Sequence, residues 1–527
     1  MKHPCRALAA LTLLTAPPLM ADDADLAALD TVEVYSTRTV APWRETPTSI
    51  GTVDATALAG EPGLALDEAL NRIPGVYAQN RYNLNQGLRV SIRGFGSRSS
   101  FGVRGIRVLV DDIPLTNPDG QTDLDALDLS LVERVEVLRG PASALYGNGA
   151  GGVLAVRTRA LPQAGLGRID LVAGEHGERR IRGEIGGQYG DIGGLLSVAH
   201  RELDGHREHM AADSLIGSGR LAWAVGGGTL EAIVQTLDIE AQDPGALNLA
   251  ERQSTPRAAN PNALRFATAE RIEQQRLGLS YRADLGGATG YRVRGWIGDR
   301  DFANSLPFAN GGQSAFERRL GGIGGQLDHR LQGFGGLHRI SLGVDFETQT
   351  DTRSRYNNSD GGVRGDRTLF QDEKAESIGL YLSDQVAVGE AWVVAAGLRY
   401  DDLELSVQDA FLSDGDDSGS RRFDKTSYNL AVGYRLDSQR LMFVRYGSGF
   451  ESPANNELAN PDGGGFNPAL APAEADNVEF GLKHESARLR AELVFYAIRN
   501  DGELVRFERD DQPGRSFYRN AGASDRQ

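Results

Sequence analysis

Segments of about ten residues in which side chains alternate between two characters recur from near residue 165 onward, and this period of two constrains the fold more than any other feature. In AWVVAAGLRY, Trp392, Val394, Ala396, Leu398 and Tyr400 share one face of an extended chain, while Ala391, Ala395, Gly397 and Arg399 share the other. RLRAELVFYA sets Leu489, Ala491, Leu493 and Phe495 opposite Arg490 and Glu492, and YRVRGWIG sets Tyr291, Val293 and Ile297 against Arg292 and Arg294. Aromatics at both ends of an apolar face suit the two boundaries of a membrane, with the polar face turned to a lumen. After the N-terminus no run approaches the ~18 apolar residues that a membrane helix needs. A chain of this kind crosses a bilayer only as a β-barrel, because unpaired backbone groups are too costly in lipid.

Connections alternate in length, as such a barrel requires. Short ones fall near Tyr189, Gly286, Gly389, Ser438 and Ser486, and long polar ones are expected over residues 243–268, 351–367, 406–421 and 451–476. Short turns belong on the periplasmic side and long loops outside. A soluble all-β protein alternates too, but does not lengthen every second connection.

The first 21 residues place Lys2 and Arg6 ahead of an apolar ALAALTLLTA run, the form of a secretory leader. The one cysteine, Cys5, lies in it, so the chain after the leader carries no disulfide. Residues 22–47 are acidic and then rich in Thr and Pro, and are expected to form a flexible tether facing the periplasm. Within them DTVEVYS alternates Val32 and Val34 with Thr31 and Glu33, a short strand expected to have no partner of its own and suited to adding onto another protein's sheet edge. The net charge of −16 argues against a nucleic-acid partner, which would favour a basic patch.

Residues 48–160 have a different texture. Val132, Val135, Val137 and Val153 to Val156 have the β-branched character of short strands, and Pro141 followed by ASALY predicts one helical turn entered through a proline. Gly147, Gly149 and Gly152 match G-x-G-x-x-G, but here the helix precedes the glycines and the strand follows them, the reverse of a dinucleotide site.

Three motifs in this span, LDEALNRIPGV at Leu66, VSIRGFGSRSSFGVRGIRVLVDDIPL from Val90 and LRGPASALYGNGAGGV from Leu138, resemble the plug domain of TonB-dependent outer-membrane receptors. SRSSFGVRGIR followed by DDIPLTNPDGQT is similar to the subgroup that includes pyrroloquinoline-quinone receptors, and more loosely to ferric-citrate receptors. The segment RYGSGFESPANNELANPDGGGFNPALAPAEADNVEFGLK from Arg445 resembles a barrel motif of the family. The resemblance implies a mainly β protein, a transmembrane antiparallel β-barrel over residues 165–527 with an N-terminal mixed α/β plug inside. The family's barrel has about twenty-two strands, against roughly fifteen or sixteen candidates here, and no final amphipathic strand ending in Phe or Trp precedes NAGASDRQ. The chain is therefore expected to be cut short at its C-terminus, with an unclosed barrel.

The same resemblance assigns roles to residues. Asp30, Thr31, Val32, Glu33, Val34, Tyr35 and Ser36 correspond to the TonB box, which binds TonB of the inner-membrane energising complex. Too few residues precede it for the extra periplasmic signalling domain of some receptors. Arg81, Tyr82 and Asn83, and Arg98, Ser99 and Ser100, lie where the family's plug loops reach towards the solute, and arginine offers paired hydrogen bonds to carboxylates, phosphates or anionic chelates. The other reading for Arg98 is a salt bridge from plug to barrel. Arg93 of SIRG and Arg139 of VLRG sit in motifs whose arginines lock the plug to barrel glutamates, with Glu479 the best candidate partner.

No nucleophile, base and orienting acid group into a hydrolytic signature, so an enzyme is not expected, and neither is a cofactor. His206 and His209 have H-x-x-H spacing without a third ligand nearby, and read as loop residues. DGDDSG (residues 414–419, with Asp414, Asp416 and Asp417) imitates a calcium loop, but its twelfth position is Lys425, so a solvated acidic loop is the better reading. The expected protein is a monomer embedded in outer-membrane lipid that imports a small solute, an iron chelate such as a ferric siderophore by family precedent or pyrroloquinoline quinone by subgroup. A passive porin or a surface binding protein is the alternative from another class.

Overall fold

The computed structural model describes residues 32–59, 63–80, 82–99, 102–333, 335–462, 464–510 and 512–527. The leader, Asp30, Thr31, Arg81 and Ser100 lie outside them.

The plug is built on a five-stranded mixed sheet in the order Ile50–Asp54, Val132–Arg139, Gly152–Thr158, Ile106–Val110, Ile113–Pro114. Val132–Arg139 and Gly152–Thr158 pair antiparallel around the single helical turn Ser143–Tyr146, and Gly152–Thr158 runs parallel to Ile106–Val110. Both faces of this sheet are covered, hence its nearly continuous apolar runs. Val108, Val135, Val137, Leu154 and Val156 face a core shared with Leu66, Leu70 and Ile73, while Leu109, Leu138 and Val153 face Trp43, Leu145 and Tyr146. At Gly152, φ is +129°, and a Cβ would stand 2.1 Å from the Leu138 carbonyl oxygen, so the strand can begin there only with glycine. A second, four-stranded sheet joins Val76–Gln79, Arg89–Ile92, Val103–Arg104 and Gln121–Thr122.

Around the plug runs one antiparallel sheet of 16 strands, from Leu166–Ala173 to Ser524–Arg526. The period of two sorts its side chains as the sequence implies. Ile297, Leu398 and Phe495 point outward and are exposed, while Arg294 and Arg399 point inward and are buried. Among the described residues no ladder joins the first strand to the last, so the sheet is open at that seam. The last strand is reached over a separate hairpin, Leu504–Arg509 with Gln512–Asn520.

Two expected long loops are shorter than the sequence suggested. Residues 351–367 are mostly strand: Gly336–Ser359 and Val363–Val388 continue as one tall ladder joined by the three-residue turn Asp360–Gly362. The upper part of this hairpin extends beyond the apolar band, so it pairs through polar side chains such as Thr352 with Asp372 and shows no apolar alternation. Likewise Trp392–Asp409 and Gly419–Arg435 leave only residues 410–418 as loop. The 243–268 connection does stand off the strands, and carries the short helices Leu249–Ser254 and Pro261–Arg265.

Because Ala396 lies midway between the outward Trp392 and Tyr400, Ala396→Arg is expected to destabilise the folded sheet by about 2–4 kcal/mol in lipid vesicles. Glu404→Arg, above the aromatic boundary, is expected to change it by less than about 1 kcal/mol. Denaturant unfolding of the two variants side by side checks the placement of the membrane band.

Candidate functional site

The plug meets the wall through arginine and carboxylate pairs. Arg93 follows the strand Arg89–Ile92 in a turn with φ +50°, and its guanidinium pairs with Glu479 on Ala473–Glu485, both side chains almost fully buried. Glu479 is also held by the Asn477 amide at 2.8 Å, with Arg445 3.8 Å away, and Arg93 stacks over the Tyr496 ring at 4.0 Å. Gly140 makes room for this cluster: its φ is +87°, and a Cβ would come within 3.0 Å of both Arg93 and Glu479. Arg139, one residue earlier, does not reach Glu479. It pairs with Glu492 on the neighbouring strand Arg490–Asp501 and donates to the Pro74 carbonyl at 2.9 Å. The inward face of Glu492 was legible from RLRAELVFYA, but its partner depends on strand register.

Further pairs follow the same pattern around the lumen. Arg107 pairs with Glu347, Arg159 with Glu184, and Asp125 accepts from Arg300 at 2.7 Å. Asp112, at the tip of the DDIPL turn, takes Arg157 of the plug at 2.9 Å and Arg292 of the wall at 2.6 Å. Burial pushes the Asp112 carboxyl up, yet Arg157, Arg292 and Arg294 together outweigh it and hold the group at about 2.

At the plug's other end, the two loops expected to face the solute are tied to the wall. Arg98 is not free: it donates to Glu451 at 2.8 Å and pairs with Glu457, which lies in the loop after strand Arg440–Glu451. Burial alone would raise the Glu457 carboxyl, but Arg98 and Arg104 hold it below the usual range, which keeps the pair charged. Ser99 is buried beside it. Asn83 is buried and reaches Asp243 of the wall at 3.4 Å, Gln86 reaches the same carboxylate at 3.0 Å, and Tyr82 is half exposed.

The N-terminal segment is docked as well. Glu33–Val34 pairs with Ala41–Pro42, and the Tyr35 and Ser36 amides both donate to the buried Glu136 carboxylate at 2.9 Å. Val34 packs with Trp43, Ile50 and Leu138, so the alternation that suggested an unpartnered strand serves the plug core, and residues 32–47 are not a loose tether. Arg38, with φ +69°, donates to the Leu145 carbonyl at 2.9 Å, Tyr381 at 3.0 Å and Asp345 at 2.8 Å. Arg294 and Arg399 converge on the same Asp345.

His206 and His209 face different groups, the first against the His176 ring and the second with its Nε2 2.9 Å from the Thr268 carbonyl. In the 414–419 loop Asp416 accepts the Ser418 amide at 2.9 Å and Asp417 the Gly465 amide at 3.3 Å. Among the described residues, His200, Glu202 and Asp213 form the one group of three potential metal ligands, and His200 and Asp213 already pair at 2.8 Å.

The family model described as TonB dependent receptor-like, beta-barrel matches residues 230–527, and that of the TonB-dependent Receptor Plug Domain matches residues 42–153. The chain belongs to the TonB-dependent receptor family. It is 30% identical over 187 residues to a hemin receptor of Yersinia enterocolitica, covering 34% of this chain but only 26% of that protein. It is 24% identical over 494 residues to the ferrioxamine B receptor of Salmonella typhimurium strain SL1344, covering 86% of this chain and 67% of that one. The unliganded ferric citrate transporter FecA has the same fold, with a TM-score of 0.74 at 19% identity over 87% of this chain and 71% of that one.

Glu479→Ala in this receptor strands Arg93 and is expected to cost about 3–5 kcal/mol, read as earlier unfolding of the plug in denaturant; a double Arg93→Met, Glu479→Leu variant is expected to recover much of that loss. Asp112 predicts an acid limb. Its folded value lies below the unfolded ~3.9, so its contribution, on the order of 2 kcal/mol, is complete above about pH 4 and is lost as pH falls through about 2. Acid titration of plug unfolding is expected to be shallower in Asp112→Asn.

Proposed function

We propose that this receptor captures an iron chelate at the outer surface of a bacterial outer membrane and passes it to the periplasm, with energy delivered by TonB through residues 30–36. The observation that carries the reading is the plug itself. A domain pinned to the lumen wall by ion pairs at Glu479, Glu492, Asp345 and Glu347 obstructs the lumen and has to be moved by an outside source of work. A passive porin has no use for such an obstruction, and a surface binding protein has no use for the lumen. Residues 48–160 act as the plug and the chain from about 165 as the wall, in a single copy surrounded by outer-membrane lipid. No bond in the solute is broken.

Support for an iron chelate comes from the relatives, whose names specify hemin, ferrioxamine B and ferric citrate. The docked state of Val32 to Ser36 adds a step to the sequence-based picture. TonB pairs with this strand only after Glu33–Val34 separates from Ala41–Pro42 and the Tyr35 and Ser36 amides leave Glu136.

Val34→Pro removes a backbone donor and blocks strand addition. Energy-dependent uptake of an iron-55 chelate is expected to fall to the level of de-energised cells, with chelate binding at the surface unchanged. Uptake at the parental rate in this variant would falsify coupling through residues 30–36.

A further inference from the structure

A cavity of about 670 Å³ lies between the plug and the first strands of the wall. Its plug side comes from the apex loop with Asn83 and from residues 124–132, and its wall side from Leu166–Ala173, Arg179–Tyr189, Ile192–Leu203 and Ala212–Val225. The volume is that of a site for a small-molecule ligand. Leucines and isoleucines such as Leu66, Leu88, Ile216 and Ile239 supply much of its surface, which raises the strength of any charge it encloses.

Four arginines line it, Arg168, Arg180, Arg182 and Arg201. Arg168 and Arg182 share Asp170, at 2.7 and 2.9 Å. Asp125 is taken by Arg300, and the Asp128 carboxylate accepts the Ser130 amide at 3.1 Å. Arg201 donates to the Gly63 carbonyl at 2.8 Å and has Glu178 at 3.5 Å. Arg180 forms no hydrogen bond or ion pair among the described residues, and register places it directly opposite Arg201 in the antiparallel ladder. Like charges facing each other across two strands destabilise a sheet. Lining a cavity of mixed polar and apolar character, such a pair is stabilised by an anion placed between the two guanidinium groups.

We propose that this cavity is an oxyanion site, in which Arg180 and Arg201 hold a carboxylate or phosphate group of the solute, with Arg182 at its edge. The guanidinium fork matches the spacing of both oxyanions. The site deepens the transport reading by assigning an anionic character to the cargo and a holding point at the wall, and rests on that reading only for its purpose. Binding needs no energised membrane, so it fails or holds independently of uptake.

The test uses the whole 527-residue chain in detergent micelles, with Cys5→Ser removing the native thiol and Ala199→Cys placing one on the cavity wall. A negatively charged methanethiosulfonate reagent is expected to label residue 199 about tenfold faster than its trimethylammonium counterpart, the size of effect that a focused field produces. Citrate or inorganic phosphate is expected to slow labelling saturably and sucrose to leave it unchanged; the more effective of the two anions names the oxyanion class. Arg180→Gln, which loses no partner among the described residues, is expected to remove the preference and the protection, and Arg180→Lys to restore part of each. Equal labelling by the two reagents, no labelling by either, protection by sucrose equal to that by the anions, or a preference unchanged in Arg180→Gln each overturns the proposal.

Discussion

A charge enclosed in the lumen of this receptor is costly unless it is paired, and the seating of the plug against the wall depends on that requirement. Removing an arginine and a carboxylate from water costs several kcal/mol per ion, recovered only with close geometry and extra hydrogen bonds. Glu479 meets the condition with Arg93, the Asn477 amide and Arg445 around it. The wall carries Glu347, Glu479 and Glu492 on inward positions of three strands, and the plug answers with Arg107, Arg93 and Arg139. The match fixes both the depth and the rotation of the plug, because a shift by one residue on any wall strand turns its carboxylate to the lipid side.

The wall itself obeys the other boundary. In lipid the backbone has no water to bond with, so neighbouring strands pair in long ladders except beside the open seam, where among the described residues Arg490–Asp501 meets Ser524–Arg526 over three residues only, and side-chain character reports which face meets the bilayer. That character was readable in AWVVAAGLRY and RLRAELVFYA because both segments lie within the apolar band. It was not readable in residues 351–367, where polar side chains occupy both faces of the ladder: Thr352 and Asp372 pair on the exposed face, while Asp351 and Glu373 are buried on the inner one against Arg318 and Arg353. Polar composition marks the exit from the membrane, and the end of the strand comes later.

The same distinction separates what could be known of the site. Arg93 with Glu479 was accessible because each belongs to a motif, and glycines beside them mark close approach. Glu492 was known to face inward, but its pairing with Arg139 is set by the register between Ala473–Glu485 and Arg490–Asp501. Arg98 was ambiguous because a loop arginine aimed at solute and one aimed at a wall carboxylate look alike in sequence. The presence of Glu451 and Glu457 more than 350 positions away decides between them. Val34 carried two meanings at once: an extended strand with alternating valine suits a partner's sheet edge, and it equally suits the apolar gap beside Trp43.

The ion pairs that hold the plug differ in what they leave behind when broken, and this orders the steps of any movement. Withdrawing Arg93 leaves Glu479 with one arginine at 3.8 Å and one amide, in a fully buried place. Withdrawing Arg38 leaves Asp345 still held by Arg294 and Arg399, with no carboxylate stranded. What Arg38 gives up is its own contacts to Leu145, Tyr381 and the rings of Tyr146 and Tyr381, and once drawn out into water its guanidinium is solvated. Release of the segment from Val32 to Arg38 therefore leaves the wall's carboxylates paired, and its cost falls within the plug, where the buried Glu136 loses the Tyr35 and Ser36 amides. On the coupling proposed above, a pull on residues 30–36 would act on it first, because it is the first docked stretch along the described chain. Breaking the pairs at Glu479 or Glu492 would leave a carboxylate with fewer partners in a buried place, so on that coupling they come after the N-terminal segment.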